Sequence, residues 1–156
     1  TIAHGLLAQL KEPIRPTFEY LLQANRVGLE SGDVEYAWIA HQLYSTHRFL
    51  VGEPIVPLEF VYRDSITCMK ECNQETFAEI TLLSLEATLI MMGREDDPVV
   101  VNGTLMNLGE PDKLREAHHS ANLNFQEYVC EACCLYLMIS YHLGDLDVAL
   151  MMAKKS

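Results

Sequence analysis

The chain has 156 residues, 49% of them hydrophobic, which is long enough to bury a core and too apolar for a disordered chain. Its 22 acidic residues against 11 scattered basic ones give a formal net charge of −11, which argues against nucleic acid or an anionic membrane as partner. Apolar runs such as Ala87–Gly93 are far too short to cross a bilayer.

Periodicity is helical nearly throughout. From Pro13 to Ser31, Ile14, Phe18, Leu21, Leu22 and Leu29 form one broad face. Pro13 and Pro16 fit near the start of that helix, where a missing N–H costs little. The stretch Gly28-Leu-Glu-Ser-Gly32 closes it, and Asp33 is placed to accept hydrogen bonds from the free amides of the next helix. That second helix runs to Gly52 and carries Val34, Ala37, Trp38, His41 and Tyr44. Pro54 breaks the chain and Pro57 opens a third helix with Leu58, Tyr62, Ile66 and Met69. Asn73-Gln74 marks a junction before a fourth helix, striped by Phe77, Ile80, Leu83, Ala87, Ile90 and Met91 and ending at Gly93.

Arg94 to Pro98 reads as a polar loop, and the run Val99-Val100-Val101 is too short and isolated to support a sheet. After punctuation at Asn107, Gly109 and Pro111, a short helix is expected over Asp112–Asn122. Asn124–Leu143 is the most apolar helix, with a breadth that predicts cover on several sides. Gly144-Asp145 leads into a last helix, Leu146–Lys155.

Two of these joints share a pattern. Gly32-Asp33-Val34-Glu35-Tyr36-Ala37 and Gly144-Asp145-Leu146-Asp147-Val148-Ala149 both read Gly-Asp-apolar-acid-x-Ala. This is the turn pattern of tetratricopeptide (TPR) hairpins, although the separation is no multiple of that repeat's period of about 34 residues. The expected fold is all-α: antiparallel hairpins stacked as an irregular TPR-like superhelix, one repeat-like region over 1–156, with Gly32, Asp33, Gly52, Gly144 and Asp145 as structural turns. An unrelated helical bundle with two similar turns is the competing architecture. Thr1 opens directly into a helical pattern without an initiator Met or secretory signal, so the sequence reads as a piece of a longer polypeptide. Exposed apolar faces at both ends would then leave the isolated piece extended or self-associating.

Residues with chemical potential are few. Cys130, Cys133 and Cys134 share a helix face, as do Cys68 and Cys72, and thiolates from two helices could enclose zinc. Their neighbours are Val, Ala, Leu and Met, so core packing of reduced thiols is the expected role. Glu116-Ala-His-His119 holds one Glu-x-x-His, but di-iron bundles need two such motifs and further carboxylates. His41 and His47 lie among Trp38, Tyr44 and Phe49 without a partner nucleophile at a fixed spacing. Glu95-Asp96-Asp97 lacks the alternation of a calcium loop. No catalytic residue, cofactor or metal site is expected.

The stretch Leu21-Leu22-Gln-Ala-Asn-Arg-Val-Gly28-Leu-Glu-Ser-Gly32-Asp33-Val-Glu35-Tyr36-Ala37 resembles a region of large multidomain signalling proteins. There it follows a predicted ATPase of the AAA/STAND type, behind a serine/threonine-kinase-like domain and, in many members, ahead of GAF and histidine-kinase modules. The resemblance continues through Tyr44, Phe49, Gly52, Pro54-x-x-Pro57-Leu58-Glu59 and Met69-Lys70, and upstream through Leu10-Lys11-Glu12-Pro13-Ile14. It covers Leu10 to about Gly93 and returns at Gly144-Asp145, while Glu95–Leu108 departs from it. It implies a non-catalytic helical region in the cytoplasm that couples a nucleotide-binding module to output domains. The implied partners are neighbouring domains of the same polypeptide and proteins or peptides, with self-association open and no role for nucleic acid or membrane. Two rivals remain: a metal-binding or enzymatic bundle using Cys130/Cys133/Cys134 or Glu116/His119, and a small-molecule sensor with Trp38, Tyr44 and Phe49 around a pocket.

Overall fold

A computed structural model of the chain describes residues 13–103, Leu105 and residues 125–154, with side chains from Ala132 onward in the last stretch. Among the described residues the fold is all-α. The helices are α1 (Thr17–Ser31), α2 (Val34–Leu50), α3 (Ile55–Glu71), α4 (Glu75–Met91), α5 (Pro98–Val101), α6 (Phe125–Leu143) and α7 (Leu146–Ala153). Consecutive helices pack as hairpins, α1 on α2, α3 on α4 and α6 on α7, and α4 also packs on α6. Helix α2 meets both α3 and α4, which joins the first hairpin to the second.

The hairpin turns are one device used three times. Each first helix ends at a residue in the left-handed region: Gly32 at φ 78°, Asn73 at 56° and Gly144 at 85°. The turn amides of Gly32, Asn73 and Gly144 donate to Leu29, Lys70 and Tyr141 carbonyls at 3.3, 3.0 and 3.2 Å. The following amides, of Asp33, Gln74 and Asp145, reach back to Gly28, Met69 and Ser140, each at 2.8 Å. This pair of bonds satisfies carbonyls that a helix end would otherwise leave open. The same three following residues start the next helix, their carbonyls accepting from Ala37, Ala78 and Ala149. All three alanines are buried, because the small side chain lets the two helices approach at the joint. In the first hairpin a Cβ at Gly28 would lie 2.9 Å from the Cβ of Ala37, so only glycine fits there without a shift.

The sequence pattern matched only two of these turns. The third, Asn73-Gln74-Glu75-Thr76-Phe77-Ala78, keeps the alanine but replaces Gly with Asn, the other residue that tolerates positive φ. Asp33 also differs from expectation. It precedes α2 without a side-chain capping bond, whereas Asp145 accepts from the Val148 amide at 3.2 Å. The valine run is helical: Pro98 supplies the first residue of α5 and Asp97 caps it through Val99 N at 3.0 Å. Helix α1 starts at Thr17, after Pro16, and α3 starts at Ile55, two residues before Pro57.

Helix α4 is the most enclosed of the described helices: every residue from Leu83 to Ile90 is buried, and it packs against α2, α3, α5 and α6. In α6, Ala132, Cys133, Leu135, Ile139 and Ser140 are buried and Tyr141 and Leu143 exposed, while the side chains of 125–131 lie outside the described residues.

Candidate functional site

Helix α2 is the hub from which candidate side chains radiate. Trp38 is buried with Leu58, Tyr62 and Ile66 of α3, and its ring meets His41 edge-on at 5.8 Å. Tyr44 turns the other way, stacking edge-on with Phe18 of α1 at 5.6 Å under the Arg48 guanidinium. Phe49 borders a recess shared with Thr46, Tyr62, Ser84, Ala87 and Leu135, with a cavity of about 10 Å³, room for one water. His41 also lies 6.2 Å from the Tyr44 ring, so Trp38, His41 and Tyr44 form one row along α2, and the recess at Phe49 has room for no more than a water.

Two histidines on α2 make matching bonds to its neighbours. The Thr17 hydroxyl donates to Ile14 O at 2.6 Å, so its contact with His47 Nδ1 at 2.7 Å is a bond donated by the ring. The Ser65 hydroxyl donates to Val61 O at 2.6 Å and accepts from His41 Nε2 at 2.6 Å. Burial lowers the pKa of both rings, and for His41 the nearby Asp64 carboxylate opposes that shift. His41 and Ser65 lie at the spacing of a base and a nucleophile. The hydroxyl proton, however, is committed to a helix carbonyl, and the ring nitrogen facing the oxygen carries a proton, the reverse of an activated serine. The arrangement fastens α2 to α1 at one end and to α3 near its middle.

A second polar cluster was not apparent from the sequence as a unit. Glu59 accepts both from Arg94 Nη1, at 2.8 Å to each oxygen, and from Arg63 Nε at 2.9 Å. Asp97 Oδ2 accepts from Arg63 and Arg94 at 3.0 Å each. Asp97 is held below the usual carboxylate range, first by the Val99 amide and then by the two guanidiniums. The quartet folds the loop after α4 onto α3. The spacings of Glu59–Arg63 (i, i+4) and Arg94–Asp97 (i, i+3) hint at two pairs, but nothing in sequence joins them, because the second arrives through the turn at Gly93. Elsewhere on α4, Glu86 is buried and its carboxylate lies against Gly103, where a Cβ would collide with it.

Of the thiols, Cys133 is buried and Cys134 exposed, while Cys68 is half-buried and Cys72 exposed. The side chain of Cys130, and Glu116 and His119 entirely, lie outside the described residues. Among the described residues no group of three His, Cys, Asp or Glu side chains is placed to hold a metal ion, and no helix is long and apolar enough to cross a membrane.

What the molecule offers to a partner is helix surface. Val56 and Phe60 of α3 are 56% and 68% exposed, one turn apart on the same face. Tyr141, Leu143, Leu146 and Leu150 are exposed around the last hairpin. In comparisons with known proteins, no family model, curated protein or solved structure matches this chain.

Proposed function

We propose that this chain is a non-catalytic helical-hairpin scaffold, a TPR-like region of a cytoplasmic signalling ATPase that relays between a nucleotide-binding module and output domains. The observation that carries the reading is the threefold reuse of one turn, at Gly32, Asn73 and Gly144, each with its buried alanine. Stacked hairpins of this kind present extended helical surface for proteins or peptides without special chemistry. The signalling context rests on the resemblance of Leu10–Gly93 to the helical region behind AAA/STAND-type ATPases.

The exposed row Val56–Phe60 is the natural place to test partner binding. A photo-crosslinking residue at Phe60 in cells should yield a protein adduct of defined mass, and the adduct should vary with the nucleotide state of the associated ATPase. Adducts unaffected by nucleotide would remove the relay and keep the scaffold. Purified chain that turns over a substrate would remove both.

A further inference from the structure

We propose that the outer face of α7 is the seat of a second copy of this chain, with the two α7 helices packed antiparallel about a two-fold axis at Leu150 and Met151. The proposal rests on the scaffold reading above and names one partner for it.

The face is a stacking face by register. Counted from the turn residue, Leu150 stands where Trp38 stands in the first hairpin, and Leu146 where Val34 stands. Trp38 and Val34 are covered by the second hairpin, and Trp38 is only 6% exposed. Leu146 and Leu150 are 62% and 58% exposed, because no described element lies over them. Ala149 and Met152, on the opposite side of α7, are buried.

The pattern on this face fits a copy of itself. Asp147, Leu150, Met151 and Lys154 follow i, i+3, i+4, i+7 spacing, so they share one side, with an acid at the N-terminal end and a base at the C-terminal end. All four are exposed. An antiparallel two-fold contact sets Asp147 of each copy against Lys154 of the other, covers the apolar pair between them, and opposes the helix dipoles. A two-fold contact needs such self-complementarity, and it is the commonest form of homo-oligomer. A parallel pairing would oppose like charges at both ends. Stable interfaces bury upward of about 1,000 Å², more than an eight-residue helix supplies. The contact therefore extends to Leu143 and Tyr141, exposed at the neighbouring end of α6.

Sedimentation equilibrium on the whole chain over a range of concentrations tests this. The expected result is a reversible monomer–dimer equilibrium that Leu150→Lys abolishes. Asp147→Lys alone, or Lys154→Asp alone, should weaken dimerisation about tenfold, since each single reversal places two like-charged pairs across the axis. The double reversal should restore it. The double reversal carries both charges that oppose the α7 dipole, so a dimer restored in it separates loss of contact from loss of fold, with helicity checked in each variant. A wild-type chain that stays monomeric overturns the proposal. So does a dimer indifferent to Leu150→Lys or to the single reversals. Neither result touches the scaffold reading, which the crosslink at Phe60 tests separately.

Discussion

Helices α2 and α7 leave the same turn and meet opposite fates. Trp38 and Leu150 occupy one register position after Gly32 and Gly144, yet one is a core residue and the other is mostly in water. The turn therefore decides where a hairpin closes, and the neighbour decides which of its apolar residues contribute to stability. Truncation should expose this difference most strongly. Trp38→Ala is expected to destabilise the chain by about 3–5 kcal/mol, and Leu150→Ala to stay within about 0.5 kcal/mol in the monomer. Chemical unfolding of the two variants side by side would measure the gap; comparable losses would mean that α7 is covered after all.

The joints themselves should rank next. Gly28→Val places a branched side chain against Ala37 and should cost about 1–3 kcal/mol by overpacking. Ser140, the corresponding residue before Gly144, already carries a Cβ, so Ser140→Ala should cost less. Gly32→Val, at φ 78° in open space, should lose about 1–2 kcal/mol through backbone strain alone. A thermal or denaturant midpoint unchanged by that substitution would contradict the turn geometry.

The smallest effect should come from protons, and should fall on the α2 end of the comparison. His41 and His47 are held neutral by burial, below their ordinary value of 6.5. Above that value both states are uncharged and stability is flat. As pH falls below it, the unfolded chain binds protons more readily than the folded one, so stability declines. Unfolding midpoints at pH 7.5 and 5.5 for the wild type and for His41→Gln would show a smaller decline in the variant; an equal decline would free His41 of the role.

Local grammar made much of the fold legible. Gly32-Asp33 and Gly144-Asp145 announced their turns because the left-handed stop and the alanine lie within six residues of each other. Asn73 gave a fainter signal, since Asn occurs in many contexts where Gly at a stop is more telling. How fully α4 would be enclosed was not legible, because an apolar stretch such as Leu83–Ile90 does not say which helices will be placed around it. The Glu59–Arg63–Arg94–Asp97 quartet was hidden for a related reason: half of it comes from beyond a helix, and no period links it. The histidine bonds were hidden because serine and threonine at helix positions carry no mark of what they accept from.

The repeated turn has a kinetic consequence. Each stop is written in a handful of adjacent residues, so each hairpin can find its register without waiting for distant chain. Helix pairs of this sort have low contact order, and such topologies cross their folding barriers in about microseconds to milliseconds. The slow step would then be the arrival of α6 against α4, which among the described residues is the major packing contact across the stretch after α5. Until it arrives, the apolar run Leu83–Ile90 lacks one of its covers, and this interval is when the nascent molecule would be most open to aggregation.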